Sequence, residues 1–336
     1  GKDYISTFSF TSHEIGLLFG NVQSGKTGQM FGILSKAADL GFPVFLILTT
    51  DNVALQQQTI ERVNSDLEGF CICGEDDMGK FVENSLLDPA IIILKKNNRI
   101  LRKWANTLNT TGFMKGNPLF IIDDEADAAS LNTFINRRGN QQSSINKYLD
   151  SIKNGATSSL YLQVTGTPQA ILLQTLASGW HPYFTYYFQP GSSYLGGDFF
   201  FPSSQKPDCI TFLETVKEDT KEAVLRHIAV SAQVLASGGR VCNALIHPSV
   251  RQSAHSTYAK EVKKVLEWCK ANNAEFKAEI ARHVSNLSPQ KSDKQPDDVL
   301  ISKAESLVAN DEISVYIMNG TNEVDSSAYA QGSNIV

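Results

Sequence analysis

Apolar, β-branched runs recur along the chain at 15–19, 44–48, 91–94, 119–123 and 160–164, with helix-patterned stretches between them. Short runs that are apolar on both alternating faces fit strands covered on both sides, and the helical stretches between them fit the crossovers of a parallel sheet. Between the first two strands a helix is predicted over 27–40, stopped by Gly41 ahead of Phe42-Pro43. From 180 to about 206 the pattern changes to aromatics interleaved with Gly, Pro and Ser, which predicts a connector with little regular structure. A helix over 214–235, a strand over 241–247, a helix over 253–272 and a strand over 313–318 then mark a second, shorter α/β unit. Within it, 285–298 is rich in Ser, Lys, Asp, Gln and Pro and reads as an exposed loop. The last residues, Gly332-Ser333-Asn334-Ile335-Val336, read as the opening of a buried strand, and with Gly at position 1 they suggest a piece cut from a longer chain. The expected organisation is a first domain over 1–179, a connector and helical segment over 180–236, and an incomplete second domain over 237–336.

The chemistry starts directly after the first strand. Gly20-Asn21-Val22-Gln23-Ser24-Gly25-Lys26-Thr27 matches G-x-x-x-x-G-K-S/T in full, between a predicted strand and a predicted helix. Glycines let backbone N–H groups wrap phosphate oxygens, and the helix N-terminus adds partial positive charge. Gly20, Gln23, Ser24 and Gly25 are therefore the expected cradle, with Lys26 on the β- and γ-phosphates of ATP and Thr27 on a magnesium ion. A Gly-rich turn that merely caps a helix is the weaker alternative.

A magnesium-dependent nucleotidase also needs carboxylates at a neighbouring strand end, and Pro118-Leu119-Phe120-Ile121-Ile122-Asp123-Asp124-Glu125-Ala126-Asp127 supplies them. Successive strand residues face opposite sides, so Asp123 and Asp124 diverge. Asp124 is the expected magnesium-side carboxylate and Glu125 the base that orients water, with Asp127 next in line. Further on, Thr165-Gly166-Thr167-Pro168-Gln169 closes another strand with two hydroxyls flanking a glycine, and Pro168 opens a helix.

Three motifs in this order resemble the first recombinase-A-type (RecA-like) domain of superfamily 2 helicases. The resemblance implies an α/β P-loop NTPase fold, a parallel sheet flanked by helices and followed by a partial second RecA-like domain. By the same resemblance Thr165, Thr167 and Gln169 couple the phosphate site to a second domain and to nucleic acid. Val22 to Thr27, Ile122 to Asp127 with Ser130-Leu131-Asn132, Thr167-Pro168-Gln169-Ala170, and Pro190-Gly191 before Tyr194-Leu195-Gly196-Gly197 together resemble the Z-one domain, a helicase-like module of bacterial endonucleases. That likeness runs from Gly16 to Val336. It implies an ATP- and magnesium-dependent motor of a restriction or phage-defence system that couples hydrolysis to DNA binding or translocation, with companion subunits as possible partners. It also implies that Thr50, Asn52, Gln56 and Arg62, in the segment after the second strand, touch a nucleic-acid backbone. Ala244 to Ser249 resembles the opening of the second helicase domain, and Ile317-Met318-Asn319-Gly320 a later strand end. The family's following glycine-rich motif and site-completing arginine have no counterpart before Val336, so the resemblance implies nucleotide binding with slow unaided hydrolysis.

Bulk properties narrow the field only slightly. With 336 residues, 42% hydrophobic, the chain can bury a sizeable core, and its net charge of −5 gives no global basic footprint for nucleic acid. No run is long and apolar enough to span a bilayer, and no signal-peptide pattern opens the chain, so an intracellular, cytoplasmic protein without a membrane partner is expected. Five scattered cysteines, Cys71, Cys73, Cys209, Cys242 and Cys269, lack C-x-x-C spacing and read as reduced thiols. His247 and His255 form a conceivable metal pair, and the aromatic stretch 183–188 either stacks unpaired bases or packs between domains. No restriction-type nuclease set is found: Glu261-Val262-Lys263 reads as helix and Pro296-Asp297 follows in a loop. Two other readings remain open from the sequence, a P-loop kinase and a nucleotide-dependent switch without motor activity.

Overall fold

The computed structural model describes residues 5–84, 86–128, 143–178, 180, 182–200, 216–247, 252–289, 293–318 and 324–336. The chain divides into two compact units, Gly1–Pro207 and Asp208–Val336.

In the first unit the elements follow as β1 (His13–Gly20), α1 (Lys26–Asp39), β2 (Val44–Thr49), α2 (Val53–Asp66), β3 (Cys71–Cys73), α3 (Met78–Asn84), β4 (Ala90–Lys95) and α4 (Asn98–Thr110). Then come β5 (Pro118–Asp124), α5 (Ser144–Gly155), β6 (Ser158–Thr165), α6 (Gln169–Ser178), β7 (Phe184–Phe188) and α7 (Gly197–Phe200). The strands form one sheet in the order β3-β4-β2-β5-β6-β1-β7, and every pairing is parallel. This is the expected α/β, RecA-like parallel sheet flanked by helices.

The central strands are buried almost continuously, as a doubly covered sheet requires, and successive side chains alternate between its two faces. Leu46, Leu48, Ile92, Leu94, Leu119 and Ile121 pack with Phe81, Leu101, Trp104, Leu108, Leu149 and Ile152 from α3, α4 and α5. The intervening residues, among them Phe45, Ile47, Ile91, Ile93, Phe120 and Ile122, pack on the other face with Met30, Phe31, Leu34, Ala37 and Val63 from α1 and α2. α1 ends as its sequence dictates. Gly41 takes φ 99°, its N–H donates to Ala38 O at 3.0 Å and the Phe42 N–H donates to Ala37 O at 3.1 Å, so the last carbonyls of the helix are satisfied.

The described residues within 180–200 depart from expectation. Phe184–Phe188 is not connector but the seventh strand, paired in parallel with β1 from Gly16↔Phe184 to Gly20↔Phe188. The first compact unit therefore runs past the boundary expected at 179. Gly16 makes the pairing possible, because a Cβ there would run into the Phe184 ring.

The second unit comprises α8 (Val216–Ala236), β8 (Val241–Ala244), α9 (Gln252–Ala271), α10 (Asn273–Ser285), α11 (Asp297–Ala309), β9 (Ile313–Val315), a short 3₁₀ turn (Ser326–Tyr329) and β10 (Gly332–Ile335). Its parallel sheet runs β8-β10-β9, so the predicted terminal strand is the central one. β8 and β9 are shorter than predicted, and helices α10 and α11 had no counterpart in the sequence reading. A buried hydroxyl-imidazole knot fastens β10 to α8: Ser333 Oγ lies 2.9 Å from Ser231 Oγ and 3.0 Å from His227 Nε2. Burial pushes His227 down to about 4 and keeps it neutral there.

The Gly16–Phe184 contact makes a prediction. Gly16→Ala should destabilise the chain by about 1–3 kcal/mol through overpacking, and by under about 1 kcal/mol in a Phe184→Ala background. Denaturant titration of the four chains measures the coupling; additive costs would mean that β7 does not lie on β1.

Candidate functional site

All seven strands of the first unit point their C-terminal ends to one edge, where β1, β6 and β5 stand side by side. The sequence puts a glycine-rich loop after β1, Thr165-Gly166-Thr167 after β6, and the acidic run after β5.

The loop turns with Gln23 at φ 56° and Gly25 at φ 95°, both left-handed. Gly25 is the N-cap of α1 and provides no side-chain cap, so the first N–H groups of the helix are left to an external acceptor. A Cβ built at Gly25 or Gly28 meets nothing within 4 Å, so there is open space beside the loop at both positions. Lys26 is buried at 8% exposure, and its Nζ donates to Asn21 O at 3.0 Å and Gly20 O at 3.5 Å. The ammonium thus rests on the loop's own carbonyls. Ser24 Oγ is buried in the loop with no hydrogen-bond partner. Thr27, one residue into the helix, is half-buried. These groups fit a triphosphate: uncapped N–H donors, a lysine held by weak neutral acceptors, and an orphaned hydroxyl.

The β6 segment lies against this loop. A Cβ added to Gly166 would sit 3.2 Å from Val22 Cγ2 and 3.4 Å from Lys26 Nζ. On either side of that glycine, Thr165 Oγ1 donates to Asp127 Oδ1 at 2.7 Å and Thr167 Oγ1 to Asp127 Oδ2 at 2.5 Å. Burial pushes the Asp127 carboxyl up, but these two donors, with a backbone hydrogen bond and the Lys96 charge, together hold it below its ordinary value. Gln169, also expected to couple, opens α6 with its side chain exposed.

The two carboxylates at the end of β5 diverge. Asp123 is fully buried; its Oδ2 accepts from Tyr161 OH at 2.7 Å and its Oδ1 from Lys96 Nζ at 3.0 Å. Asp124 is half-buried on the other side and accepts the Glu125 N–H at 3.1 Å. Burial, then the neighbouring Glu125 charge, pushes Asp124 up to about 6. Glu125 is exposed and takes φ 49°, a left-handed conformation unusual for a non-glycine residue. Sequence reasoning missed Lys96; the only signal was that it is the second of two lysines that follow the apolar run Ala90–Leu94.

The four residues expected on nucleic acid do not form one set. Thr50 and Asn52 lie at the end of β2, where Asn52 Oδ1 accepts the Leu55 N–H and caps α2. Gln56 is a correction: it is 7% exposed, and its amide donates inward to Glu75 Oε1 at 2.9 Å and Ile93 O at 3.2 Å. A buried amide needs such partners, so Gln56 holds α2 on the sheet. Arg62 is exposed nearly three turns along α2, away from the strand ends. Beside Thr50 the structure adds Asn97, whose amide donates to Asp51 Oδ2 at 3.2 Å, and the exposed Arg99 and Arg102 of α4.

His247 and His255 have ring centroids 6.3 Å apart, and among the described residues no cluster of three or more His, Cys, Asp or Glu side chains could hold a metal ion. Of the aromatic stretch, Tyr187 OH donates to Asn21 Oδ1 at 3.2 Å, while Tyr183 and Tyr186 are exposed. Ser130-Leu131-Asn132, Cys209, Pro248-Ser249 and Asn319-Gly320 lie outside the described residues. No described helix is long and apolar enough to cross a membrane.

No family model and no curated protein matches the chain. Among solved structures it is similar to the Hef helicase domain of Pyrococcus furiosus, with 12% identity over 92% of this chain and 67% of that one, at a TM-score of 0.37. It is also similar to the Sulfolobus solfataricus SWI2/SNF2 ATPase core in complex with double-stranded DNA, at 10% identity over 93% and 63% and a TM-score of 0.33. A third match is a nuclease-deletion mutant of the Type ISP restriction-modification enzyme LlaGI in complex with a DNA substrate mimic, at 14% identity over 92% and 31% and a TM-score of 0.38. Likeness at this level carries no assignment of function.

The raised Asp124 has a consequence for stability. Its folded value, about 6, lies above the ordinary 3.8, so ionisation destabilises the folded state as pH rises through 6 and has no effect below the ordinary value. Asp124→Asn should therefore melt roughly 2–4 °C above the parent at about pH 8 and level with it at about pH 4. A lower melting temperature at both pH values would show that the Asp124 charge is stabilised, contrary to this geometry.

Proposed function

We propose that the first unit binds ATP with magnesium in the Gly20–Thr27 loop and hydrolyses the γ-phosphate. The observation that carries this reading is the uncapped α1 N-terminus at Gly25, with Lys26 parked on two loop carbonyls and the acidic end of β5 on the far side of β6. In the proposed complex Lys26 leaves Gly20 O and Asn21 O for phosphate oxygens, exchanging neutral acceptors for charged ones. Backbone N–H groups of Gly25, Lys26 and Thr27 face the same phosphates. Thr27 and Asp124 would hold magnesium, which neutralises charge on the phosphates when bound. Glu125 accepts a proton from water, and Asp127 holds Thr165 and Thr167 so that Gly166 stays against Lys26.

The finer reading is a helicase-like motor module of a bacterial restriction or phage-defence endonuclease. Its support is the motif resemblance together with the rim of Asn52, Asn97, Arg99 and Arg102 along the ends of β2 and β4. Amides and two cations are groups that bind a phosphodiester backbone. DNA is accordingly the proposed partner, with any companion subunits a matter for the longer protein. The cytoplasm is the proposed compartment.

Lys26→Ala should weaken ATP binding at least tenfold with a melting temperature within a few degrees of the parent, because the hydrogen bonds shown for its ammonium go to two carbonyls of its own loop. Wild-type affinity in that variant would refute the site. Glu125→Gln should keep ATP affinity and lose about 10²–10⁴ in phosphate release, since the amide keeps the shape without the basicity. Full turnover would move the base role to Asp127. Phosphate release with and without single-stranded and duplex DNA separates the motor from a kinase or a passive switch, neither of which is stimulated by DNA.

A further inference from the structure

Lys96 takes no part in the expected motif chemistry, yet it is among the most completely buried side chains of the first unit and stands at the base of the acidic turn. It follows β4 directly, so the parallel sheet delivers it next to the ends of β2 and β5. An ammonium has three N–H donors and no acceptor. Here all three are used: on Asp123 Oδ1 at 3.0 Å, on Asp124 O at 2.8 Å and on Glu125 O at 2.8 Å. Only the first is an ion pair. The other two gather the consecutive carbonyls that the turn at Glu125 brings together.

That turn has the one left-handed non-glycine residue of the acidic segment, Glu125 at φ 49°. Such a conformation persists only where the surroundings impose it. From the β6 side, Ala126 N donates to Val164 O at 3.0 Å, and within the turn Ala128 N donates to Glu125 O at 2.9 Å. Lys96 supplies the hold from the β4 side.

We infer that Lys96 is a positioning residue for ATP hydrolysis: its buried ammonium clamps the Asp124 and Glu125 carbonyls, fixes the left-handed turn and so aims the Glu125 carboxylate. The inference rests on the proposed ATPase reading for its consequence in rate, but not for its consequence in backbone shape. In the proposed complex the phosphates are held by the Gly20–Thr27 loop, to which none of the three Lys96 hydrogen bonds goes, so its loss should slow hydrolysis far more than it weakens binding. The Lys26 loop, Thr27 and the helix N-terminus are untouched by it.

The test compares two variants. Asp123→Asn removes the ion pair but leaves Lys96 on both carbonyls; Lys96→Met combined with Asp123→Asn removes both charges, so that no unpaired carboxylate is left buried. We expect Asp123→Asn to hydrolyse ATP within about threefold of the parent in single turnover, and the double variant to lose tenfold or more with ATP affinity within about threefold. Carbon-13 shifts of Glu125 Cα and Cβ should report the left-handed conformation in the parent and in Asp123→Asn, and its loss in the double variant. Equal rates and equal Glu125 shifts in the two variants would overturn the inference, as would a parallel loss of affinity. A parent that does not hydrolyse ATP would count against the ATPase reading, and the Glu125 shifts would still decide the role of Lys96. Should the methionine variant not fold, Lys96→Leu with Asp123→Asn, which likewise has no donor at position 96, is read against the same two outcomes.

Discussion

Parallel pairing throughout the seven-stranded sheet is the constraint from which the site follows. With both faces covered by helices, strand interiors are mostly apolar, and the residues able to bind a ligand lie at the C-terminal edge. Three such ends adjoin: the Gly20–Thr27 loop after β1, Thr165-Gly166-Thr167 after β6 and the carboxylates after β5. β6 between the other two is what links them, since its glycine lies on the lysine of one side and its threonines hold an aspartate of the other.

That edge is assembled against local preference. Gln23 and Glu125 hold left-handed backbone angles, Asp124 carries a carboxyl raised to about 6, and Ser24 Oγ is buried without a partner. Each of these costs folding free energy, and all lie within two stretches of the chain. The buried Lys96–Asp123 pair follows the same logic. Such a pair is weak evidence for stability, because the desolvation of two charges offsets their attraction, but it fixes geometry. Here the geometry fixed is that of the acidic turn.

Much of this was legible in the chain. Five strands of the first unit, β1, β2, β4, β5 and β6, show in the sequence because buried parallel strands are continuous apolar runs, whereas β3, only Cys71–Cys73, is too short to show; the phosphate loop shows because its chemistry needs particular residues at particular spacing. β7 was not legible: Phe-Thr-Tyr-Tyr-Phe is an edge strand with exposed Thr185, Tyr186 and Tyr187, set among Pro and Gly residues that signal loop. Lys96 could not be read because its role depends on strand order, which brings it to Asp123 from 27 residues away. Gln56 looked available on an amphipathic helix, but the helix turns it inward to Glu75. In the second unit the helix predicted over 253–272 stops where α9 ends, and α10, which starts after Asn272 alone, was not read as a second helix.

The central claim is that the Gly20–Thr27 loop holds phosphates, and calorimetric titration of the 336-residue chain with ATP, ADP and AMP in the presence of magnesium tests it most directly. The loop donors and Lys26 act on the β- and γ-phosphates, and each charge-assisted hydrogen bond contributes about 1.5–3 kcal/mol. ATP and ADP should therefore bind one to one, and AMP at least tenfold more weakly. Equal affinity for all three, or no binding of ATP, would contradict the account.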